Sequence, residues 1–156
     1  MKKNRHRKHG FVLLILYLVL LTYYLFFAEA MGRTPGSREE YSYNLILFKE
    51  IRRFIMHRDI LGYKAVVLNI FGNVVAFMPF GFILPEVWDQ LNRWYTITVL
   101  GFLFSLSVET AQLLSRVGSF DVDDLILNTF GVMLGFLGFV FCNGIRRIYD
   151  KNKKRA

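Results

Sequence analysis

Four long blocks of apolar residues dominate the pattern of hydrophobic and polar positions along the chain. They cover residues 11–28, 66–84, 94–114 and 125–142, and each block is 18 to 21 residues long. An α-helix rises about 1.5 Å per residue, so about 20 residues are needed to cross a hydrocarbon layer about 30 Å thick. The pattern therefore predicts four membrane-spanning helices.

A different pattern precedes the second block, in the stretch YNLILFKEIRRFIMHR (residues 43–58). Leu45, Phe48, Ile51 and the pair Phe54–Ile55 recur there at helical spacing, with basic residues between them. This spacing predicts an amphipathic helix that lies in the outer membrane interface with its apolar face down. A solvated amphipathic helix is the alternative, although the sequence offers no soluble domain on which it would pack.

Basic residues flank the apolar blocks at both ends of the chain, which has a formal net charge of +8. Five Lys or Arg residues lie in MKKNRHRKHG, and six more lie in IRRIYDKNKKRA. Lys and Arg beside a membrane span mark its cytoplasmic side, and four crossings return both tails to one side. We therefore predict cytoplasmic termini that attract anionic membrane lipid, and no nucleic-acid partner.

This topology defines the fold class as all-α: an integral membrane four-helix bundle with an extracytoplasmic interfacial amphipathic helix. The predicted regions are a cytoplasmic basic tail (1–10), a transmembrane helix (11–28), an extracytoplasmic loop with the interfacial helix (29–65), a three-helix core (66–142) and a second cytoplasmic basic tail (143–156). As an alternative, Ala28-Glu29-Ala30 after a basic start has the form of a signal-peptide cleavage site, and cleavage there would leave three spans.

Asn, Gln and acidic side chains occur in three of the four spans, and this topology places them in the outer half of the membrane. The predicted polar cluster consists of Asn69, Asn73, Glu109, Gln112, Arg116, Asp121, Asp124 and Asn128. An acid at the centre of a span costs roughly 2.5–3.5 kcal/mol on insertion scales, so Glu109 needs a partner or a wet cavity. Arg116, two turns further along, is the predicted partner of Glu109.

The cluster has two interpretations, namely polar contacts that hold the bundle together and an outer-facing pocket that binds a ligand. Glu109 and Asp124 are the candidates for a catalytic acid/base pair. Carboxylates also hold Mg²⁺ or Ca²⁺, but DVDD (residues 121–124) lacks the spacing of an EF-hand, and we predict no metal. Capping of the N-terminus of the fourth span by Asp123 or Asp124 is the alternative role for these acids. The sequence contains no Walker loop or HExxH motif, and no cofactor is predicted.

Single residues within the spans carry further predictions about packing. The pair Gly131-x-x-x-Gly135 would let another helix approach closely. Pro79 should loosen the second span by freeing a backbone carbonyl near Val75. Pro85 is expected to end that span. Cys142 is the only cysteine, so no disulfide can form within the chain.

Taken together, these motifs resemble the VanZ-like family of bacterial membrane proteins over roughly residues 41 to 141. The resemblance lies in LNIFGNVVAFMPFG, ETAQLLSR and FDVDDLILNTFGVMLG. The residues that match the family pattern are Asn69, Asn73, Phe77, Pro79, Gly81, Glu109, Gln112, Arg116, Asp121, Asp124, Asn128, Gly131 and Gly135. One departure is Leu47, which stands where the family often has proline in N-L-x-P-F.

The resemblance implies a bacterial cell-membrane protein. The family's namesake is associated with resistance to teicoplanin, a lipid-tailed glycopeptide, so the resemblance also implies a contribution to that resistance. It makes residues 66–142 a VanZ-like three-helix core. The expected partners are membrane lipid and a lipid-linked cell-wall precursor or a lipoglycopeptide. Arg116 would contact an anionic group of that ligand and Glu109 would orient it. An intramembrane acid/base enzyme and a structural membrane subunit are the alternatives.

Overall fold

The computed structural model describes residues 2–27, 36 and 40–153, and the described chain is almost entirely helical. Its elements are α1 (Lys2–Phe26), β1 (Tyr43–Asn44), α2 (Lys49–Met56), α3 (Arg58–Leu61), α4 (Tyr63–Val87), a 3₁₀ turn (Asp89–Leu91), α5 (Trp94–Leu114), β2 (Phe120–Asp121) and α6 (Val122–Lys153). The predicted all-α class is confirmed. The alternative cleavage site at residues 28–30 and most of the predicted loop over residues 29–44 lie outside the described residues, which include residues 36 and 40–44 of that loop.

Four of the helices are long and apolar enough to cross a membrane, as predicted. The spans are Arg7–Phe26, Val66–Val87, Trp94–Leu114 and Val122–Lys153. The third span has the predicted bounds, whereas the fourth helix runs past both ends of its apolar block. The expectation that Pro85 ends the second span is wrong. A proline removes only its own N–H, and the Trp88 N–H still donates to the Leu84 carbonyl at 2.9 Å.

The long helices form a bundle in which α4 packs against both α1 and α6, and α5 packs mainly against α6. We call the end formed by Phe26, Tyr63, Leu114 and Val122 the polar end, and the opposite end the basic end. At the basic end, Arg146 lies 3.7 Å from Glu86, and Gly10 packs beside Val87. The beginning of α1 and the last turns of α6 therefore lie at the same end of the bundle. The assignment of that end to the cytoplasm stays a prediction.

The outward faces of the bundle are apolar. Exposed hydrophobic side chains lie on all four long helices and include Leu16, Leu20, Phe71, Phe102 and Leu137. Exposed apolar surface of this extent is characteristic of membrane or partner contact, and on spanning helices it faces lipid. The fold is thus that of a multi-pass membrane protein.

Two glycines of α6 allow its backbone to touch the backbone of α4. A Cβ atom at Gly131 would lie 2.2 Å from the carbonyl oxygen of Val74, and one at Gly135 would lie 1.9 Å from that of Met78. No side chain fits at these distances. The prediction that this glycine pair admits a neighbouring helix is confirmed, and the neighbour is α4.

The same seam continues around the fully buried side chain of Val132. A Cβ at Gly81 of α4 would lie 1.9 Å from the Val132 carbonyl oxygen, and one at Gly101 of α5 would lie 2.7 Å from its Cγ1. Phe77 and Ile97 are fully buried in the same hydrophobic core. Glycines from three helices thus bring α4, α5 and α6 together around one valine.

Helix α1 attaches to α4 close to Pro79. The Tyr17 hydroxyl donates to the Ala76 carbonyl oxygen at 3.0 Å. Pro79 has no N–H to offer Val75, so the helix is less strongly bonded along this turn. The bond from Tyr17 supplies an additional contact between the helices there.

Replacing Gly135 by alanine is expected to destabilise the bundle strongly. The added methyl group would overlap the Met78 backbone, and overpacking of this kind typically costs about 1–3 kcal/mol. Thermal unfolding of the purified protein in detergent would measure the loss. Gly144→Ala is the matched control, because a Cβ at Gly144 meets nothing within 4 Å on the same helix. Equal stability of the two variants would contradict the close seam.

Candidate functional site

At the polar end, a short parallel pairing joins the segment before α2 to the loop before α6. Tyr43 is in register with Phe120, and Asn44 with Asp121. The Phe120 N–H also donates to the Ser42 carbonyl at 3.0 Å. The pairing brings the polar residues of β2 and of the first turn of α6 beside the start of α2.

Asp123 caps α2 from a distance of more than seventy residues along the chain. Its carboxylate accepts the N–H groups of Phe48, Glu50 (2.9 Å) and Ile51 (3.2 Å). The first N–H groups of a helix have no partner within the helix, so this carboxylate satisfies them and also favours the positive end of the helix dipole. The Asp123 side chain is only 1% exposed, which makes α2 an integral part of the polar end.

Asp121 is the residue that caps α6. Its Oδ1 accepts the N–H of Asp123 at 2.9 Å and the Nδ2 amide of Asn44 at 3.1 Å. Since α6 begins at Val122, Asp121 occupies the N-cap position and bonds the second helical N–H. The expectation that Asp123 or Asp124 caps this helix is therefore wrong. Asp123 turns toward α2 instead, which local spacing does not reveal.

Burial raises the pKa of the Asp121 carboxyl above its ordinary value of 3.8. Removal from water disfavours the charged form, and the nearby carboxylates of Asp123 and Glu50 add to the effect. The hydrogen bonds from Asp123 and Asn44 offset only part of it. Asp121 thus holds a proton more tightly in the folded chain than in the unfolded chain.

Glu109 contacts the same loop through the backbone of Asp121. Its Oε2 accepts the Asp121 N–H at 3.1 Å, and its side chain is only 2% exposed. The expected ion pair between Glu109 and Arg116 does not form. Helix α5 ends at Leu114, and Arg116 adopts a left-handed conformation with φ of 55°. Arg116 therefore does not continue the helix face that carries Glu109.

Arg116 lies instead over the ring of Tyr41, with its guanidinium carbon 4.9 Å from the ring centroid. Both side chains are exposed at the polar end. The turn is fixed by Gln112, whose carbonyl oxygen accepts the N–H groups of Val117 (3.1 Å) and Gly118 (3.4 Å). These bonds are those expected at a helix C-terminus whose next residue is left-handed.

The side chain of Gln112 connects α5 to the end of α1. Its Nε2 donates to the Leu25 carbonyl oxygen at 3.2 Å. Leu25 lies in the last turn of α1, where carbonyl groups lack partners within their own helix. Gln112 therefore satisfies a helix end, as Asp121 and Asp123 do.

Within the described residues, two of the three asparagines of the predicted cluster donate hydrogen bonds to other side chains, and the third, Asn69, does not. Asn73 donates to the Asp124 Oδ1 at 2.6 Å, and Asn128 donates to the Ser105 hydroxyl oxygen at 3.0 Å. Within the part of the chain that the structure describes, the Asn128 Oδ1 is buried without a hydrogen-bond partner. Asn69 is half-buried, and its side chain makes no hydrogen bond among residues 2–27, 36 and 40–153.

The amphipathic segment has the predicted helix, although it starts later than the pattern indicates. Residues 45–48 form an exposed turn, and α2 begins at Lys49. Ile51 and Phe54 are half-buried, whereas Lys49, Arg52 and Arg53 are exposed. The face turned away from the bundle therefore combines these basic residues with the exposed apolar side chains of Ile55 and Met56. The position of this segment in a membrane interface stays a prediction.

The carboxylates of this end already serve backbone and amide donors. The searched, described residues contain no group of three His, Cys, Asp or Glu side chains that could hold a metal ion. Glu109 and Asp124, the candidate catalytic pair, accept hydrogen bonds from Asp121 and Asn73 respectively. The arrangement can orient backbone and amide groups, and it presents a cation on an aromatic ring at its surface.

Several residues of this site were not predicted to take part in it. Asn44 is the first residue of the segment that corresponds to the family pattern N-L-x-P-F, and its side chain donates to Asp121. Tyr41 supplies the ring beneath Arg116, and Leu25 offers a carbonyl group to Gln112. Asn44 precedes a helix and is a residue type that caps and turns favour, which was the available signal.

The fold and this site together define a multi-pass membrane protein whose polar groups gather at one end of a helical bundle. The sequence model of the VanZ/LLP1 family matches residues 13–143, which is most of the chain. The chain therefore belongs to the VanZ/LLP1 family. A comparison with curated proteins gave no match, and neither did a comparison with solved structures.

Replacing Asp123 by alanine is expected to release α2 from the bundle. The variant loses a helix cap with three charge-assisted hydrogen bonds, which should cost about 2 kcal/mol or more and speed amide exchange in α2 roughly 30-fold. Hydrogen–deuterium exchange at Phe48, Glu50 and Ile51 would show it. Asp59→Ala, which removes an exposed carboxylate from the adjacent α3, should leave these amides protected. Similar exchange in both variants would refute the capping role.

The raised pKa of Asp121 predicts a pH dependence that Asp121→Asn removes. Because the folded chain binds this proton more tightly, the wild type gains stability as the pH falls from the folded pKa toward 3.8. Asparagine keeps the Oδ1 acceptor without the charge. The variant should therefore be the more stable protein at neutral pH, with an advantage that shrinks in acid. Denaturation of both proteins across this range would test the sign, and a constant difference would contradict it.

Proposed function

We propose that the chain binds an amphiphilic ligand of the bacterial cell envelope at the polar end of the bundle. The ligand would be a lipid-linked cell-wall precursor or a lipoglycopeptide, and its capture would contribute to resistance to teicoplanin. In this proposal the polar end faces outward, and both termini lie in the cytoplasm. The buried polar groups act mainly as the framework that shapes the binding surface.

The observation that carries the proposal is the exposed cation of Arg116. No carboxylate pairs with it in the part of the chain that the structure describes, and the ring of Tyr41 supports it at 4.9 Å. Stacking on an aromatic ring leaves the guanidinium N–H groups free to bind an anion. The left-handed turn fixed by Gln112 keeps Arg116 in place. A phosphate or carboxylate group of an envelope ligand is a suitable partner.

An exposed apolar side chain precedes this cation in the chain, as an amphiphilic ligand requires. Leu114, two residues before Arg116 at the end of the third span, is strongly exposed. Asn69 offers a half-buried amide on the second span at the same end of the bundle. A ligand with an anionic head and a hydrocarbon tail could place its head on Arg116 and its tail beside Leu114.

The enzymatic alternative draws on the burial of Glu109, because an acid within a spanning helix is costly and often functional. Glu109→Gln separates the two interpretations. Glutamine still offers a carbonyl oxygen to the Asp121 N–H but cannot transfer a proton. A catalytic acid/base role predicts that the phenotype is lost in this variant, whereas binding through Arg116 predicts that most of it survives.

Arg116→Asn tests the proposed binding directly. Asparagine tolerates the left-handed backbone but removes the cation, so ligand affinity should fall about fivefold, as expected for one basic group near an anionic surface. Binding of a fluorescent lipid-linked precursor to the reconstituted protein and teicoplanin susceptibility of expressing cells are the measurements.

Arg93→Asn is the matched control for this experiment. Arg93 also contacts a tyrosine ring, that of Tyr95 at 5.9 Å, but at the basic end. The Arg93→Asn variant should bind the lipid-linked precursor as the wild type does. At equal expression it should also give cells the same teicoplanin susceptibility as the wild type. If Arg116→Asn behaves in the same way, the chain is better described as a structural membrane subunit.

A further inference from the structure

A groove at the polar end lies between the turn of residues 45–48 and the outward face of α2. It has a volume of about 420 Å³ and is shallow and largely open to the outside. Its lining combines apolar side chains of the turn with basic side chains of α2, namely Ile46, Leu47, Phe48, Lys49, Arg52 and Arg53. Neither the helix caps nor the proposed binding at Arg116 uses these side chains.

The charge of the groove is positive and only partly neutralised. Glu50 pairs with Arg53 at 2.7 Å, which neutralises one of the three basic residues of α2. Among the residues described, Lys49 and Arg52 have no acid partner. They are three positions apart, so their side chains share one face of the helix. Two uncompensated cations therefore border the groove.

The apolar side of the groove consists of side chains that a water-facing turn would not normally present. Ile46, Leu47 and Phe48, and Leu45 just before them, are each between 58% and 64% exposed. Phe48 also has a φ of 61°, which is a rare conformation for a bulky residue. The hydrogen bond from its N–H to Asp123 holds it there. The bundle thus keeps this apolar turn in place despite the unfavourable backbone.

The level of the groove follows from the same hydrogen bond. Asp123 is the second residue of the fourth spanning helix, and Phe48 is bonded directly to its carboxylate. The interfacial position predicted from the sequence would put this turn at the level of lipid head groups. Apolar side chains beside uncompensated cations suit that layer, because acyl chains and phosphate groups meet there.

We propose that this groove binds an anionic phospholipid of the surrounding membrane. Lys49 and Arg52 contact the phosphate group, and Leu47 and Phe48 pack against the acyl chains. This surface is separate from the Arg116 site, so either proposal can fail while the other stands.

The test uses the full chain in detergent, with an environment-sensitive dye on Leu45→Cys, an exposed position beside the groove, in a Cys142→Ser background. Phosphatidylglycerol is titrated into the micelles, and phosphatidylcholine serves as the neutral lipid. The dye should report tighter binding of the anionic lipid. Each basic residue removed should weaken that binding about fivefold, so the variant Lys49→Gln/Arg52→Gln should lose about 25-fold.

Two further variants make the result specific. Arg147→Gln/Lys151→Gln removes the same charge from exposed positions of α6 at the basic end and should bind like the parent. Lys49→Arg/Arg52→Lys keeps both charges and should also bind like the parent, which separates loss of charge from loss of folding.

Four outcomes would overturn the proposal. The two lipids could bind equally, or the double glutamine variant could retain the preference for anionic lipid. Soluble glycerol phosphate could reproduce the whole response, which would indicate a site for a free anion. The dye could instead follow protein concentration while the protein sediments as a dimer, which would make this face an interface between two copies.

Discussion

Backbone groups at helix ends must find partners inside the protein wherever a membrane leaves little water to bind them. Three helix ends meet this requirement at the polar end of the bundle. Gln112 serves the end of α1, Asp123 serves the start of α2, and Asp121 serves the start of α6. The remaining features of the polar end, including the exposed turn and the surface arginine, depend on these contacts for their positions.

This constraint changes the meaning of the polar residues within the spans. Glu109 lies in the interior, where ionised groups usually indicate function, but it accepts a backbone N–H from the loop that begins α6. The acids of the cluster thus act largely as structural acceptors. Arg116 and Asn69 have no such structural bond among the described residues, and they lie nearer the surface. In the proposed function, recognition of the ligand therefore falls to the rim of the cluster.

The spans and their polar stripes could be predicted because they depend on composition and helical spacing, which are local properties. Asn73 and Asp124, placed at one end by topology alone, do meet at 2.6 Å. The partners of Arg116 and Asp123 could not be predicted in this way. Arg116 does not share the helix face of Glu109, because α5 ends two residues earlier. Asp123 bonds backbone groups at the start of α2, which lie 72 to 75 residues away in the sequence. Only the folded chain brings those groups together.

The glycine seam and the helix caps form one mechanical unit. Gly131 and Gly135 set how closely α6 approaches α4, and this contact also sets the height of Asp124 opposite Asn73. Asp121 and Asp123 precede Asp124 directly, so the same contact fixes the level at which they hold α2 and the strand pairing. Because close-packed helices shift in discrete steps rather than deform continuously, a change in the seam would displace the caps as well. The surface that we propose to bind ligand and lipid is therefore positioned by backbone contacts buried in the bundle.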